Sequence, residues 1–488
     1  MVETELKLAL PGADPSTLLQ RLKRVPVLAR RKSTTLHLHN VYFDTPDSVL
    51  RQQRIALRLR RVGEEADPQW LQTLKTAGRA DSALSQRGEW ETAVPDARLS
   101  LKALRKTPWA GIDADGAVFR ALRPIFETNF ERTTWLVRRR DASVIEVALD
   151  IGQVRAGERT APLCELELEL KAGNPQALFD VAQQIAASIA LLPCAISKAE
   201  RGYALAQNTL ATARRAAPPA LPSKLSVAET AQRVLCEMFS QFTSNLNTLL
   251  LSDDPEVVHQ ARVGWRRFKS ARRLFAPVLL ADQSPDWQAL HALLSCLGKL
   301  RDLDVALAET LPPLAASYTA GDPRRADTWQ QMMQSLELAA SLQRKTVRYA
   351  LREPGVGACL LATTQWLDDL TATAAATASR PDSKLQRWTE ERILQLRGQL
   401  KLARKKTETV EQQHRVRILA KRLRYNLESL EELLPRKRTQ GWREQAIQLQ
   451  SHLGASRDAM QAVALLLELG TDRGLTEFLR GHALGQET

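Results

Sequence analysis

Two spacings of apolar residues divide this chain. From residue 1 to about 208, apolar and polar side chains alternate with a period of two over short runs, as half-buried strands do. The runs that predict strands are Val2–Leu10, Thr35–Phe43, Ile55–Val62, Gln69–Thr76, Ser85–Val94, Thr133–Arg140, Ser143–Ile151 and Cys164–Lys171. Spacings of three and four predict helices near Ser16–Arg24, Val118–Phe126 and Pro175–Ala190. From Lys224 to residue 488 the spacing is helical throughout, in a composition rich in Leu, Ala, Gln and Arg. Residues 209–223 separate the halves. Pro218, Pro219 and Pro222 follow an Ala-rich helix end there and mark a linker.

The polar residues of the strands sort by face. Glu3, Glu5 and Lys7 oppose Val2, Leu6 and Leu8; Arg58 and Arg60 oppose Leu57 and Leu59. Lys75 shares a face with Thr73. Arg87, Glu89 and Glu91 share another, as do Glu146, Ala148 and Asp150, and Glu165, Glu167 and Glu169 alternate with leucines. An antiparallel sheet with one wet face gives this alternation. So does a closed barrel with an apolar outside under helices and a charged lumen, and the recurrence over six strands favours the barrel. The expected fold is an α+β domain built on an eight-stranded antiparallel β-barrel, a tunnel, over residues 1–208. An all-α bundle follows over 224–488.

The helical half repeats itself. His259-x-x-Arg262-x-x-x-Arg266-x-x-Lys269 aligns with His414-x-x-Arg417-x-x-x-Lys421-x-x-Arg424. Downstream, Leu297-Gly298-x-x-Arg301-Asp302 aligns with Leu453-Gly454-x-x-Arg457-Asp458, with the Arg-Asp pairs 42 and 43 residues from the respective histidine. Two copies, about 224–380 and 381–488, are expected to pack with an internal two-fold. At about 100° per residue, offsets of 0, 3, 7 and 10 fall within an arc of roughly 80°. His259, Arg262, Arg266 and Lys269 therefore form one basic stripe, extended by Arg273, and His414, Arg417, Lys421 and Arg424 form the other. Like charges at these spacings repel, a cost that a polyanion would offset through bidentate arginine contacts. The Arg-Asp pairs serve either as ligand contacts or as ion pairs that fix helix register. This half resembles the CHAD family of histidine-bearing α-helical domains over nearly all of 224–488, which implies binding of inorganic polyphosphate without catalysis.

Composition narrows the partners. Over 488 residues, Lys and Arg outnumber Asp and Glu by 69 to 55, a net charge of +14, which calls for an anionic partner. Aromatics make up only 5% and no aromatic-interleaved basic tract occurs, so nucleic acid is the less favoured one. The five cysteines are widely spaced and never in C-x-x-C, which argues against a disulfide framework or zinc site and for a reducing compartment. No run approaches a membrane span of about 18 residues, and Glu3 with no apolar run behind it is not a signal peptide. A cytoplasmic protein without a membrane partner is expected, and an N-terminal extension is expected to crowd the first strand. Oligomeric state is not readable.

Carboxylates and cations on one set of strand faces suit metal-assisted phosphoanhydride chemistry. Hard divalent cations take oxygen ligands, and phosphoryl transfer needs positive charge on the non-bridging oxygens. The phosphate loop G-x-x-x-x-G-K-[ST], G-x-G-x-x-G, H-E-x-x-H and G-x-S-x-G motifs are all absent. His37 and His39 lack an acid or Cys at ligand spacing and are read as structural. Glu3-x-Glu5-x-Lys7, Tyr42-Phe43-Asp44-Thr45, Arg58-x-Arg60, Glu165-x-Glu167-x-Glu169 and Ser197-Lys198-x-x-Arg201-Gly202-Tyr203 together resemble the CYTH superfamily of triphosphate tunnel metalloenzymes over residues 1–205. The order CYTH then CHAD resembles that of bacterial inorganic triphosphatases.

That resemblance implies a tunnel that binds a triphosphate with Mg²⁺ or Mn²⁺. Glu3, Glu5, Asp150, Glu165, Glu167 and Glu169 would hold metal, with Glu89 or Glu91 a further acid. Lys7, Arg58, Arg60, Lys75, Arg132 and Lys198 would grip the phosphates. Hydrolysis of tripolyphosphate to pyrophosphate and phosphate is the expected reaction. Thiamine or nucleoside triphosphate hydrolysis, ATP cyclisation and non-catalytic polyphosphate binding are the alternatives.

Overall fold

The computed structural model describes residues 2–63, 68–76, 78, 82–222, 224–279, 284–377, 385–405, 407 and 409–485, without the side chains of 371–377, 410, 452–456 and 484–485. Ser223 of the expected linker, the expected boundary between repeats at 380 and 381, and the side chains of Leu453 and Gly454 lie outside the described residues. The chain forms two compact units. The first comprises 1–212 with two later stretches, 247–252 and 351–365; the second comprises 213–246, 253–350 and 366–488.

The first unit is a closed barrel. Its strands are β1 (Val2–Ala9), β2 (Ser33–Asp44), β3 (Ala56–Val62), β4 (Gln69–Lys75), β5 (Leu84–Val94), β6 (Arg123–Arg138), β7 (Val144–Ala156) and β8 (Arg159–Ala172). They run antiparallel in the order β5-β4-β3-β2-β6-β7-β8-β1, and β1 pairs with β5 to close the ring. A two-residue strand, β9 (Leu192–Pro193), continues the edge of β1 beyond β5. Closure leaves each of the eight long strands paired on both sides.

Helices α1 (Pro15–Arg24), α2 (Val49–Gln52), α3 (Leu101–Leu104), α4 (Trp109–Ile112), α5 (Ala117–Ala121), α6 (Gln176–Ala186) and α7 (Lys198–Ala206) complete the barrel unit. The apolar strand faces point outward, as the alternation predicts. Leu6, Leu8, Val147, Leu149, Leu166 and Leu168 are buried with Leu18 and Leu22 of α1 and Phe179, Val181 and Ile185 of α6. Leu57 and Leu74 are buried with Leu50, Leu104 and Trp109. At about 25 cal/mol per Å² of apolar surface, these layers carry the fold.

One expected element fails. The helix expected over Val118–Phe126 stops at Ala121, and β6 begins at Arg123. Pro124 cannot donate the helical hydrogen bond, and from Phe126 onward the even positions share one strand face with Arg132.

The second unit is helical: α8 (Val227–Thr248), α9 (Pro255–Phe275), α10 (His291–Val305), α11 (Ala315–Thr319), α12 (Pro323–Ala350), α13 (Pro354–Thr377), α14 (Leu385–Ala403), α15 (Val410–Ser429), α16 (Arg436–Glu468) and α17 (Arg473–Gly485). Residues 247–252, at and just past the C-terminal end of α8, and residues 351–365, which lead into α13, are counted with the barrel unit. Helix α9 packs on α15, and α10 on α16, pairing equivalent members of the two repeats. The proline-rich stretch is docked rather than free. The Arg214 side chain donates to Ser240, Ser244 and Glu237, its backbone N–H donates to Asn245 Oδ1 and its carbonyl accepts from Asn245 Nδ2, and Leu221 is buried. No helix among the described residues is long and apolar enough to cross a membrane.

Candidate active site

The barrel encloses a cavity of about 890 Å³ lined by charged side chains from β1 and β3 to β8, with β2 contributing Leu36, Leu38 and Tyr42. Register sets which charges meet. Pairing of β1 with β5 puts Glu3 opposite Arg87 and Glu5 opposite Ser85, and pairing with β8 puts Glu5 opposite Glu169 and Lys7 opposite Glu167.

At one group of these charges, Lys75 Nζ lies 2.8 Å from Glu3 Oε2 and 3.1 Å from Glu89 Oε2. Arg87 reaches Glu5 Oε1 at 2.6 Å and Glu3 Oε2 at 3.3 Å, and Lys7 Nζ reaches Glu5 Oε1 at 2.8 Å. Burial would raise the Glu5 carboxyl, but Lys7 and its neighbours hold its pKa below the usual value. Burial would likewise depress Arg87, yet Glu5 and Glu3 raise it.

A second group surrounds Lys198. Its Nζ lies 2.5 Å from Glu165 Oε1, 2.6 Å from Asp150 Oδ2 and 2.9 Å from Glu167 Oε1. Arg132 is bidentate on Asp150, at 2.7 and 2.6 Å, and touches Glu167 Oε2 at 2.5 Å. Burial alone would raise Glu167, but Lys198, Arg132 and Lys7 hold it well below the usual carboxylate range. Carboxylate oxygens of Asp150, Glu165 and Glu167 all lie within 4.8 Å of one another.

The third group is different. Arg58 Nη2 is 3.6 Å from Glu89 and 3.9 Å from Glu91, and Arg60 Nη1 is 4.0 Å from Glu91. Burial, then the charges of Arg58 and Arg132, push Arg60 down to about 10. Glu169 shows the converse imbalance. Burial raises its pKa with help from Glu3 and Glu146, against Lys171 at 2.7 Å.

The remaining motif residues build the frame. Ser197 caps α7 in a reciprocal capping box with Glu200, which delivers Lys198 at the first helical position. Gly202 faces Phe126, where a Cβ would meet the ring at 2.1 Å. Tyr203 packs edge-on against Phe126 and donates to Asp44 Oδ2 at 2.8 Å. Asp44 accepts three backbone amides besides, from Thr45, Leu50 and Arg51. The Tyr-Phe-Asp-Thr and Arg-Gly-Tyr motifs thus meet and fix α7 on the lumen face of β6. His39 bonds Glu127 at 2.9 Å, away from the lumen charges.

All the candidate residues of the strand half therefore lie in or against the lumen. They form three charge groups rather than one metal set beside one phosphate set. Asn40 and Tyr42 join the site without carrying a charge: they lie directly across from Arg60 and Arg58, and of the two Tyr42 alone belongs to a quoted motif, Tyr42-Phe43-Asp44-Thr45.

In the helical unit, Arg262, Arg266, Arg417 and Lys421 converge, with Arg457 among them. Burial, then Arg266, pushes Arg262 down to about 10, and burial, then Arg266, Arg417 and Arg457, pushes Lys421 down to about 7. Lys269 falls through burial, then Arg273, and lies over the Trp265 ring at 5.9 Å. His259, half-buried, is lowered by burial and Arg301. Arg424 instead pairs with Glu428 at 3.6 Å, and His414 is exposed in the first turns of α15. Gly298 makes room for Arg262, whose Nη1 would be 2.9 Å from a Cβ there. The two Arg-Asp elements do not pair internally: Arg301 bonds Glu309 at 2.7 Å, while Asp302 and Asp458 face the converging cations.

Sequence comparisons agree with both halves. The CYTH domain model matches residues 1–203 and the CHAD domain model residues 233–467. The inorganic triphosphatase of Haemophilus influenzae is 35% identical over 212 residues, covering 43% of this chain and 56% of that protein. The chain thus spans little more than half the length of that curated relative. The CHAD domain of the plant Ricinus communis is 26% identical at a TM-score of 0.48, over 56% of this chain and 91% of that one. A Hippeastrum protein described as an adenylyl cyclase with a dominant triphosphatase activity is 20% identical at 0.31, over 41% and 95%. The chain carries a CYTH domain followed by a CHAD domain.

Proposed function

We propose that the barrel hydrolyses inorganic triphosphate to pyrophosphate and phosphate with a divalent cation, and that the basic cluster of the helical unit binds inorganic polyphosphate. The carrying observation is the imbalance inside the lumen: among the described residues the carboxylates beside Arg58 and Arg60 stand 3.6 to 4.0 Å away, while burial, with the charges of Glu3 and Glu146, raises the Glu169 carboxyl despite Lys171 at 2.7 Å. A phosphate chain and a metal ion are complementary to those two deficits.

The donor set fits a hard cation. The oxygens of Asp150, Glu165 and Glu167 cluster, and Glu3, Glu5 and Glu169 lie on neighbouring strand positions. These six would hold Mg²⁺ or Mn²⁺, which when bound neutralises phosphate oxygen charge and acidifies a water. The chain's own residues do the rest. Arg58 and Arg60 take non-bridging oxygens, joined by Lys7, Lys75, Arg132 and Lys198 as phosphate replaces carboxylate in their ion pairs. Glu167, kept ionised by its cations, can accept a hydrogen bond from the attacking water. The barrel wall holds the chain extended and limits bulk water.

Leu36, Trp90 and Leu170 also line the cavity, which gives a second reading: a triphosphate with an organic end. One experiment separates the readings: phosphate release from tripolyphosphate, ATP, thiamine triphosphate and long-chain polyphosphate with Mg²⁺, Mn²⁺ or EDTA, with cyclic AMP measured alongside. Tripolyphosphate should be cleaved fastest and EDTA should abolish release. Cyclic AMP from ATP, or faster release from an organic triphosphate, would overturn the inorganic assignment.

A further inference from the structure

Strand β2 runs beside β3 with Asn40 directly across from Arg60. Asn40 is fully buried and both ends of its amide are engaged. Its Oδ1 accepts from Arg60 Nε at 2.8 Å, and its Nδ2 donates to Thr128 Oγ1 on β6 at 2.9 Å. Thr128 is buried too, so the pair spans β3, β2 and β6 without water. Holding Nε fixes the plane of the guanidinium and leaves its terminal fork free to meet a planar pair of oxygens.

The choice of an amide matters. Apart from Arg58, whose carboxylates stand at 3.6 and 3.9 Å, the neighbouring lumen cations are held by carboxylates at short range: Lys75 by Glu3 at 2.8 Å, Arg87 by Glu5 at 2.6 Å, Arg132 by Asp150 at 2.6 Å. A carboxylate orients a cation and also cancels its charge. An amide oxygen orients it and leaves the charge whole. Among the described residues, the ion-pair partner of Arg60 is Glu91 at 4.0 Å. An aspartate at position 40 would have nearly the same shape and would neutralise the arginine.

We propose that Asn40 is a positioning residue for phosphoryl transfer in the tunnel: anchored by Thr128, its neutral amide holds the Arg60 guanidinium oriented and uncompensated for a substrate phosphate. This rests on reading the lumen as a triphosphate site.

The test is steady-state release of phosphate from tripolyphosphate by the full chain with Mg²⁺. Asn40→Leu should lower kcat/KM about tenfold or more, the order that a hydrogen bond to a charged group carries. Thr128→Val touches nothing on Arg60 and should lower it by about threefold in the same direction. Each is repeated in an Arg60→Lys background, where no guanidinium plane remains to be held. There both substitutions should lose most of their effect, whereas a role in the fold alone would give the same loss in either background. Equal losses in both backgrounds, or no loss from either variant in the wild-type background, overturn the assignment of Asn40. If Asn40→Leu does not fold, the Thr128→Val pair decides alone. A wild-type chain that releases no phosphate from tripolyphosphate overturns the underlying site reading instead.

Discussion

The barrel lumen and the helical cluster both concentrate cations, and they handle the repulsion in opposite ways. In the lumen most cations sit within 3.1 Å of a carboxylate, and Arg87, Arg132 and Lys198 are held above their usual pKa against burial. In the helical unit Arg262, Arg417 and Lys421 face other cations, and burial and that repulsion lower all three. Buried ion pairs add little net stability; on the proposed function, the matched lumen would be a store of contacts that substrate and metal exchange into. The unmatched helical face is loaded with repulsion that a polyanion would relieve. A site built to react needs both signs of charge; a site built to bind needs only one.

The largest effect that could break this contrast is in the lumen. Arg58→Ala with Arg60→Ala should lower tripolyphosphate turnover by about 10²–10³, read as phosphate release. Polyphosphate binding by the helical unit, measured by calorimetry, should be unchanged.

Next comes the helical face. Arg266→Ala with Lys421→Ala should weaken polyphosphate binding about tenfold or more and leave tripolyphosphate turnover as it was. Lys421 adds a pH signature. Its pKa of about 7 lies below the usual 10.5. Binding should weaken as pH rises through 7 and the ammonium is lost, and Lys421→Met should flatten that profile. Stability of the free chain should move oppositely. Between about 7 and 10.5 the unfolded lysine binds the proton that the folded one has lost, so stability rises with pH there.

Two smaller effects concern the frame. Gly202→Ala drives a methyl into the Phe126 ring and should cost about 1–3 kcal/mol, seen as a lower Tm. Glu5, Glu89 and Glu167 are held below the usual 4.5, so the stability they contribute is present above that pH and lost as pH falls through their folded values. Glu167→Gln should make the acid limb of the stability profile shallower.

Much of the architecture was legible because period two survives wherever one strand face is buried: the residues around Leu57-Arg58-Leu59-Arg60 announce both the outer core and the lumen. The start of β6 was not, because Val118–Phe126 also satisfies a helical spacing and Pro124 decides between them. The charged candidates were legible as types, but their grouping depends on register, which no single strand encodes. Lys198 meets Asp150 and Glu165 only because Ser197 caps α7 and Gly202 lets it approach Phe126. Arg301 prefers Glu309 to its neighbour Asp302 for the same kind of reason, a turn of chain geometry beyond the repeat. Segment 351–365 is helical in its spacing like the rest of its half and differs in carrying no charge from Pro354 to Gln365, but that alone does not say it belongs with the barrel.

The most direct test measures tripolyphosphate hydrolysis and polyphosphate binding side by side on wild type, Arg58→Ala/Arg60→Ala and Arg266→Ala/Lys421→Ala. A clean crossing, with the first double variant losing turnover alone and the second losing binding alone, is the predicted result. Loss of both activities in either variant, or turnover that survives removal of Arg58 and Arg60, would contradict the separation of a reacting lumen from a binding helical face.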